Sequence, residues 1–554
     1  MRIHSLSFFV VATLCLALQF VLATPLRAQA PHAEPPQTPP AKLTASQWQA
    51  DVRSLGDELP RRHKNAYHRM KREDFEAAVS KLYDAVPKMS DDEIVVGLMK
   101  LVAMVHDGHT SLVPRQYIRS GVYPIQLYSF SDGVYVRKAA PAYAELVGAK
   151  VLRIGGVSID EAMAAVAPVV AADNEMGVLD LGPVMLSVPE ILSGLKIVSD
   201  KQKLDLTISK NGKEQVVSVR PEGAVENLIV TPANWTGSGA KADPPLYMKN
   251  PGDQFWFEYL KDKQIVYVNQ DAVQNKPDLA LADFYKRIFD FVEANPVDKL
   301  IIDLRNNGGG NNTLNVPIII NLIRSKVNKR GHLFVITGRQ TFSAAQNFVN
   351  QIEKWTEAIF VGEPTADHVN MYGDNRPFTL PNSGLVVRAS TLWWQDLDPR
   401  DERKWTAPEI AVDISSSDYF SGRDPVIQAV IDYKPGNTIS ELIKSATERD
   451  SLGDFAERYR KIKADPQSKY VDSEAAINRL GYDLLARKRT ADAVEIFKLN
   501  VEFYPSSANV YDSLGDALVA AGLSDEAIKS YEKALSIDPT YQSSIDALKR
   551  LRKN

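Results

Sequence analysis

Between residues 264 and 361 the chain alternates short apolar, β-branched runs with segments of helical length, and this alternation restricts the fold more than any other feature. The runs cover 264–269, 299–304, 333–337 and 358–361, and the segments between them cover 279–295, 317–324 and 344–355. Strands joined by helices pair in parallel, because a crossover is what returns the chain to the same end of a sheet. Residues 226–435 are therefore predicted as an α/β core.

The flanks have different textures. Residues 45–119 read as a helical region. Phe75, Val79, Leu82 and Val86 fall at helical spacing, and Ser90-Asp91-Asp92-Glu93 has the form of a capping box. The basic stretch from Arg61 to Arg72 reads as a solvated helix face, since Glu73, Asp74 and Glu76 follow at once. Residues 120–225 carry period-two strands at 134–136, 150–154, 204–208 and 216–219. The strand ending at Gly155-Gly156 resembles the middle of a PDZ-like module, but no Gly-Leu-Gly-Phe loop accompanies it. Residues 436–470 read as a linker helix, with Pro435-Gly436-Asn437 at its start. In 471–554, Leu480-Gly481, Ala493, Phe497 and Pro505 recur 34 residues later as Leu514-Gly515, Ala527, Tyr531 and Pro539. That is the period of a tetratricopeptide helix pair, a class of array that binds protein partners or stabilises its neighbour.

The amino terminus reads as an export signal. Arg2 precedes the apolar stretch 5–23, Ala28-Gln29-Ala30 is a cleavage signal, and a proline-rich spacer runs to residue 44. Cleavage is predicted after Ala30, with a periplasmic or secreted product; an uncleaved anchor is the alternative. Cys15, the single cysteine, lies in the leader, so the mature chain has no disulfide or thiol chemistry. No later run is long enough to span a bilayer. The charge balance, 65 basic against 69 acidic residues, gives no general attraction for nucleic acid or a membrane surface.

Three motifs carry candidate chemistry. Ser343, in Thr341-Phe342-Ser343-Ala344-Ala345-Gln346, lies between a strand and an alanine-rich helix, where free N–H groups favour a developing negative charge. Serine is also a common helix cap. Gly308-Gly309-Gly310 follows the strand ending at Asp303. Its N–H groups supply one arm of a candidate oxyanion hole and Ala344 the other. A phosphate loop is the rival, but no Lys-Ser/Thr follows the glycines and no Gly-x-Gly-x-x-Gly spacing exists. His109, in Asp107-Gly108-His109-Thr110-Ser111, is the candidate base, with a structural histidine as the alternative. His106, Asp107 and His109 lack the further ligands a metal site needs, and no metal or cofactor is expected.

Asp-Gly-His-Thr, Ile-Asp-Leu-Arg-Asn-Asn-Gly-Gly and Thr-Phe-Ser-Ala-Ala, in this order, resemble the C-terminal-processing (tail-specific) serine protease family, over roughly residues 45–435. That family includes the tricorn core and the interphotoreceptor retinoid-binding protein. The resemblance implies a crotonase-like spiral α/β core, Ser343 as nucleophile, and an oxyanion loop at Gly309 or Gly310 with Ala344. The lysine base of the bacterial branch is missing: Gly362-Glu363-Pro364-Thr365-Ala366-Asp367-His368 stands where it would lie. Lys354, eleven residues after Ser343 in one helix, is about 16 Å away. The tricorn-like branch uses a histidine matching His109 and an acidic residue well after the serine. Asp401 is the first choice and Glu402 the second, pairing with Arg403 being the other use of either. The expected activity is peptide-bond hydrolysis on a peptide or unfolded protein. The alternative is a silent relative binding a peptide or apolar ligand, with the repeats as working surface. Trp393, Trp394 and Trp405 are candidate cleft residues, or buried aromatics beside a strand. An unperturbed imidazole puts the acid limb of activity at about pH 6–7.

Overall fold

The structure is a computed structural model that describes residues 42–228, 231–237, 244–449 and 451–552. The leader, its predicted cleavage after Ala30 and all but the end of the proline-rich spacer lie outside the described residues.

The central sheet has the strand order Ile410–Ala411, Ile359–Gly362, Leu333–Thr337, Lys299–Asp303, Ile265–Gln270, Phe255–Leu260. All neighbours run parallel except the antiparallel edge strand Phe255–Leu260. The predicted runs are these strands within a residue or two. Their continuous apolar composition has a plain cause: both faces are covered. On one face Leu281–Ala294 and Ala344–Trp355 pack through Phe284, Ile288, Phe348 and Ile352. On the other, Val426, Ile427 and Val430 of Pro425–Asp432 close over Tyr267, Ile301 and Phe334. Each such buried side chain stabilises the fold by about 1.5–3 kcal/mol relative to exposure. Because the strands are parallel, the segments after Asp303 and Thr337 leave the same end of the sheet, which brings the glycine loop to the Ser343 turn.

Residues 45–119 begin with helices Ala45–Arg62, Arg72–Ala85 and Asp91–Ala103. The capping box forms as predicted, Glu93 N–H donating to Ser90 Oγ at 3.3 Å and Ser90 N–H to Glu93 Oε2 at 2.8 Å. The short strand Ser111–Leu112 then pairs with Val386–Gln395, one arm of a long hairpin with Asn370–Thr379. This pairing carries His109 from the amino-terminal region to the core. An antiparallel sheet follows, ordered Ile125–Phe130, Gly133–Ala139, Lys150–Ile154, Leu204–Lys210, Lys213–Val219. Helices Glu175–Met185 and Pro189–Gly194 are inserted before its last two strands.

The carboxy-terminal helices bury a separate apolar cluster that includes Phe455, Leu480, Phe497, Leu514 and Tyr531. Helices Glu474–Ala486 and Thr490–Phe503 are followed by Ala508–Ala520 and Ser524–Ile537, each starting 34 residues after its counterpart. The repeat has a steric reason. A methyl on Gly481 would meet Phe497 Cζ at 2.5 Å, and one on Gly515 would meet Tyr531 Cε1 at 2.5 Å. The seam to the core is largely polar. Arg330 pairs with Glu409 and Glu441, Lys469 with Asp413, Tyr433 hydrogen-bonds Glu441, and Trp405 packs edge-on to Tyr470 at 5.9 Å.

Candidate active site

Ser343 takes the N-cap position of Ala344–Trp355 but caps nothing, because its backbone sits at φ 60°, ψ −127° and no side-chain cap bond forms. A positive φ on a non-glycine residue costs of order 1–3 kcal/mol and persists only where the surroundings hold it. Here they do. Thr341 Oγ1 donates to Leu304 O at 2.8 Å and accepts Gly338 N–H at 3.0 Å. Phe342 N–H donates to Asn307 O at 3.0 Å, and Ser343 N–H donates to the Asp367 carboxyl. The result turns Oγ away from the helix and toward His109 Nε2, 2.9 Å away.

His109 lies on the turn after Asp91–Ala103. Its ring stacks on Phe342 with centroids 4.3 Å apart and planes at 22°. Asp107 shapes this turn. Its Oδ1 accepts His109 N–H at 2.9 Å, and its Oδ2 accepts Thr110 Oγ1–H at 2.6 Å and a bond from His63 Nε2 at 2.8 Å. Asn65 N–H donates to His63 Nδ1 at 2.9 Å, so the His63 proton sits on Nε2 and points at Asp107. His63 is therefore buried, which corrects its reading as part of a solvated basic face. Burial pushes the Asp107 carboxyl up, but the bonds from His63, Thr110 and Ser390 and the neighbouring imidazole of His109 outweigh it and hold Asp107 below the usual carboxylate range. Burial, by contrast, outweighs Asp107 and Asp374 at His109 and lowers its pKa. A neutral imidazole is the form that accepts a serine proton.

The glycine loop meets Ser343 directly. Asp303 Oδ1 accepts Arg305 N–H at 3.1 Å, and Arg305 forks onto Asp424 at 3.2 and 3.0 Å, fixing the strand end. Gly309 has φ +97°, and a methyl there would sit 2.6 Å from Ser343 Cβ. Its N–H is already given to Asn307 Oδ1 at 2.9 Å. Gly309 therefore supplies close approach and not a free donor. Among the described residues, the Ala344 and Gly310 N–H groups have no acceptor. A negative oxygen beside Ser343 is the partner such groups want.

The structure does not bring Asp401 or Glu402 to the couple. Asp401 pairs with Arg403 at 2.8 Å, Arg403 also holds Glu353 at 2.8 Å, and Glu402 is exposed. The ion pair two residues apart in sequence satisfies Asp401 locally. The carboxylate that reaches His109 Nδ1 is Asp107 Oδ1, at 3.9 Å, with no hydrogen bond made by Nδ1 itself. His368, in the segment that lacks the lysine, contacts Arg69 and Arg403 O at 3.3 Å through Nδ1 and does not bond Ser343. Trp393 is 40 % exposed on the hairpin and lines a pocket of about 210 Å³ with Tyr372, Arg69 and His368. Trp394 donates to Asp374 at 2.6 Å, and Trp405 packs on Tyr470 at the seam. Among the described residues no cluster of histidine and carboxylates suits a metal ion.

Residues 264–415 match the model of peptidase family S41. The match contains the glycine loop and Ser343 but not His109. Among solved structures, mature CPAF is 14 % identical with a TM-score of 0.50, over 70 % of this chain and 98 % of that one. The photosystem II D1 C-terminal processing protease is 14 % identical with a TM-score of 0.32, over 69 % of this chain and 99 % of that one. The tricorn protease is 16 % identical with a TM-score of 0.35, over 70 % of this chain and 36 % of that one. No curated protein matches the chain.

Proposed function

We propose that this chain, a serine-type peptidase whose α/β core is that of peptidase family S41, hydrolyses peptide bonds through an acyl-enzyme on Ser343 with His109 as general base. The observation that carries the reading is the 2.9 Å contact of Ser343 Oγ with His109 Nε2, at a turn strained to make it. Ser343 Oγ attacks the scissile carbonyl as its proton passes to His109 Nε2. The oxyanion is met by Ala344 N–H and the glycine loop. The imidazolium then protonates the leaving amine, and water repeats the sequence on the ester. Phe342 holds the imidazole by stacking. Asp107 takes the orienting role first given to Asp401 and Glu402.

The lowered pKa of His109 has a definite sign. The imidazole stays neutral to a lower pH than an unperturbed one, so the acid limb is expected below about pH 6.5, the ordinary value for histidine. A pH series of Ser343 acylation measures it; a limb above that value contradicts the burial argument.

The leader supports an exported enzyme, periplasmic or secreted, acting on peptides or unfolded protein, and the repeats support a protein partner. Because the carboxy-terminal helices own their apolar cluster and meet the core largely across polar groups, a chain ending near Tyr433 is expected to stay folded and reactive. Circular dichroism and active-site labelling check this, and loss of folding would mean that the repeats complete the core. The missing lysine and a His109 Nδ1 that makes no hydrogen bond favour the alternative, a silent binding protein. Absence of labelling by a serine-reactive fluorophosphonate would decide for that reading.

A further inference from the structure

Beside the couple lie two carboxyl groups that the reaction does not use, Asp367 fully buried and Asp173 half-buried at a pocket wall. Asp173 precedes the helix Glu175–Met185, and its Oδ2 accepts Gly108 N–H at 2.6 Å, on the turn that presents His109. Asp367 lies in the segment after Ile359–Gly362, and its Oδ2 accepts the N–H of Ser343. The two side chains are within hydrogen-bonding reach of each other. Among the described residues neither is ion-paired with a lysine, arginine or histidine, and Asp367 Oδ1 has no donor. Two ionised carboxylates in contact, one of them fully buried and neither ion-paired with a cation, are not a stable arrangement. A single proton between them satisfies both.

We propose that Asp173 and Asp367 are positioning residues that share one proton, and that this carboxyl pair ties the turn bearing His109 to the turn bearing Ser343. The inference rests on the Ser343–His109 reading and explains how two turns far apart in sequence are held in register. Burial raises both groups above the usual carboxylate range; the charge of Asp107 adds to it at Asp173, and Asp173 and Asp107 add to it at Asp367. Arg69 acts in the opposite sense on Asp173; burial, with Arg69 adding to it, lowers His368, the neighbour of Asp367, to about 4, so His368 is neutral when the pair titrates. Loss of the shared proton at alkaline pH leaves two like charges in contact. Their separation draws the two backbone anchors apart and misaligns the couple.

The test is the rate of fluorophosphonate labelling of the full chain against pH. The wild type is expected to lose about tenfold per pH unit beyond the ionisation of the pair. Asp173→Asn supplies a permanent donor to Asp367, so its alkaline limb is expected to vanish while its acid limb, set by His109, is unchanged. Asp367→Asn keeps an acceptor for Ser343 N–H and is expected to do the same. An alkaline limb in both variants identical to that of the wild type would overturn the proposal. Infrared difference spectra separate this from failure of the underlying mechanism. The carbonyl stretch of a protonated carboxyl, present in the wild type at neutral pH and absent in Asp173→Asn, supports the pair even in a protein that never labels. Its absence from the wild type overturns the pair even in a protein that does.

Discussion

Replacing His109 with alanine is expected to lower acylation of Ser343 by about 10²–10⁴-fold, the usual worth of a positioned base. The substitution removes the acceptor 2.9 Å from Ser343 Oγ and the ring stacked on Phe342. It leaves Asp107 bonded to His63 and Thr110, so the turn keeps its anchor. The loss therefore falls on the rate and not on folding, and the acid limb should vanish with it. Steady-state turnover on a short peptide ester, with circular dichroism as the folding control, measures both. Near-normal turnover would exclude His109 as base and direct attention to His368, whose Nε2 is buried without a partner.

Gly309→Ala is expected to be nearly as damaging without touching a reacting group. The alanine meets two penalties. Its backbone sits at φ +97°, which L side chains avoid, and its methyl would lie 2.6 Å from Ser343 Cβ and 2.9 Å from Ala344 N. Backbone cannot yield as a flexible side chain can, so the strain is relieved by moving the nucleophile turn. A displacement of about 1 Å at a reacting atom costs about 10²-fold in rate. Gly308→Ala is the control, because a methyl there meets nothing within 4 Å. It should retain most activity. Equal losses in the two variants would mean that the loop matters for flexibility and not for close approach.

The sequence made the central parallel strands legible because both of their faces are buried, so each reads as an unbroken apolar run. Ser343 and the glycine loop were legible because they follow such strands directly. Other parts of the site carry no local signal. Asp173 and Asp367 stand 194 residues apart and meet only through the fold, and no spacing announces a pair that tertiary packing assembles. His63 was hidden inside a basic stretch in which its neighbours Arg61, Arg62 and Lys64 are exposed. Burial of one residue at a helix end depends on what the next turn packs against, and His63 packs against the Asp107 turn. Asp401 is held apart from the couple for a similar reason. An arginine two residues along offers a nearer partner than a histidine brought in from another region, and the local pair forms.

If Ser343 is an activated nucleophile, intact-mass analysis after exposure to a fluorophosphonate reads it out without a substrate. A single adduct is expected on the wild type, mapped to the peptide containing Ser343. No adduct is expected on Ser343→Ala, and slow labelling on His109→Ala. A wild-type protein that stays unmodified, or an adduct that persists in Ser343→Ala, would contradict Ser343 as the nucleophile.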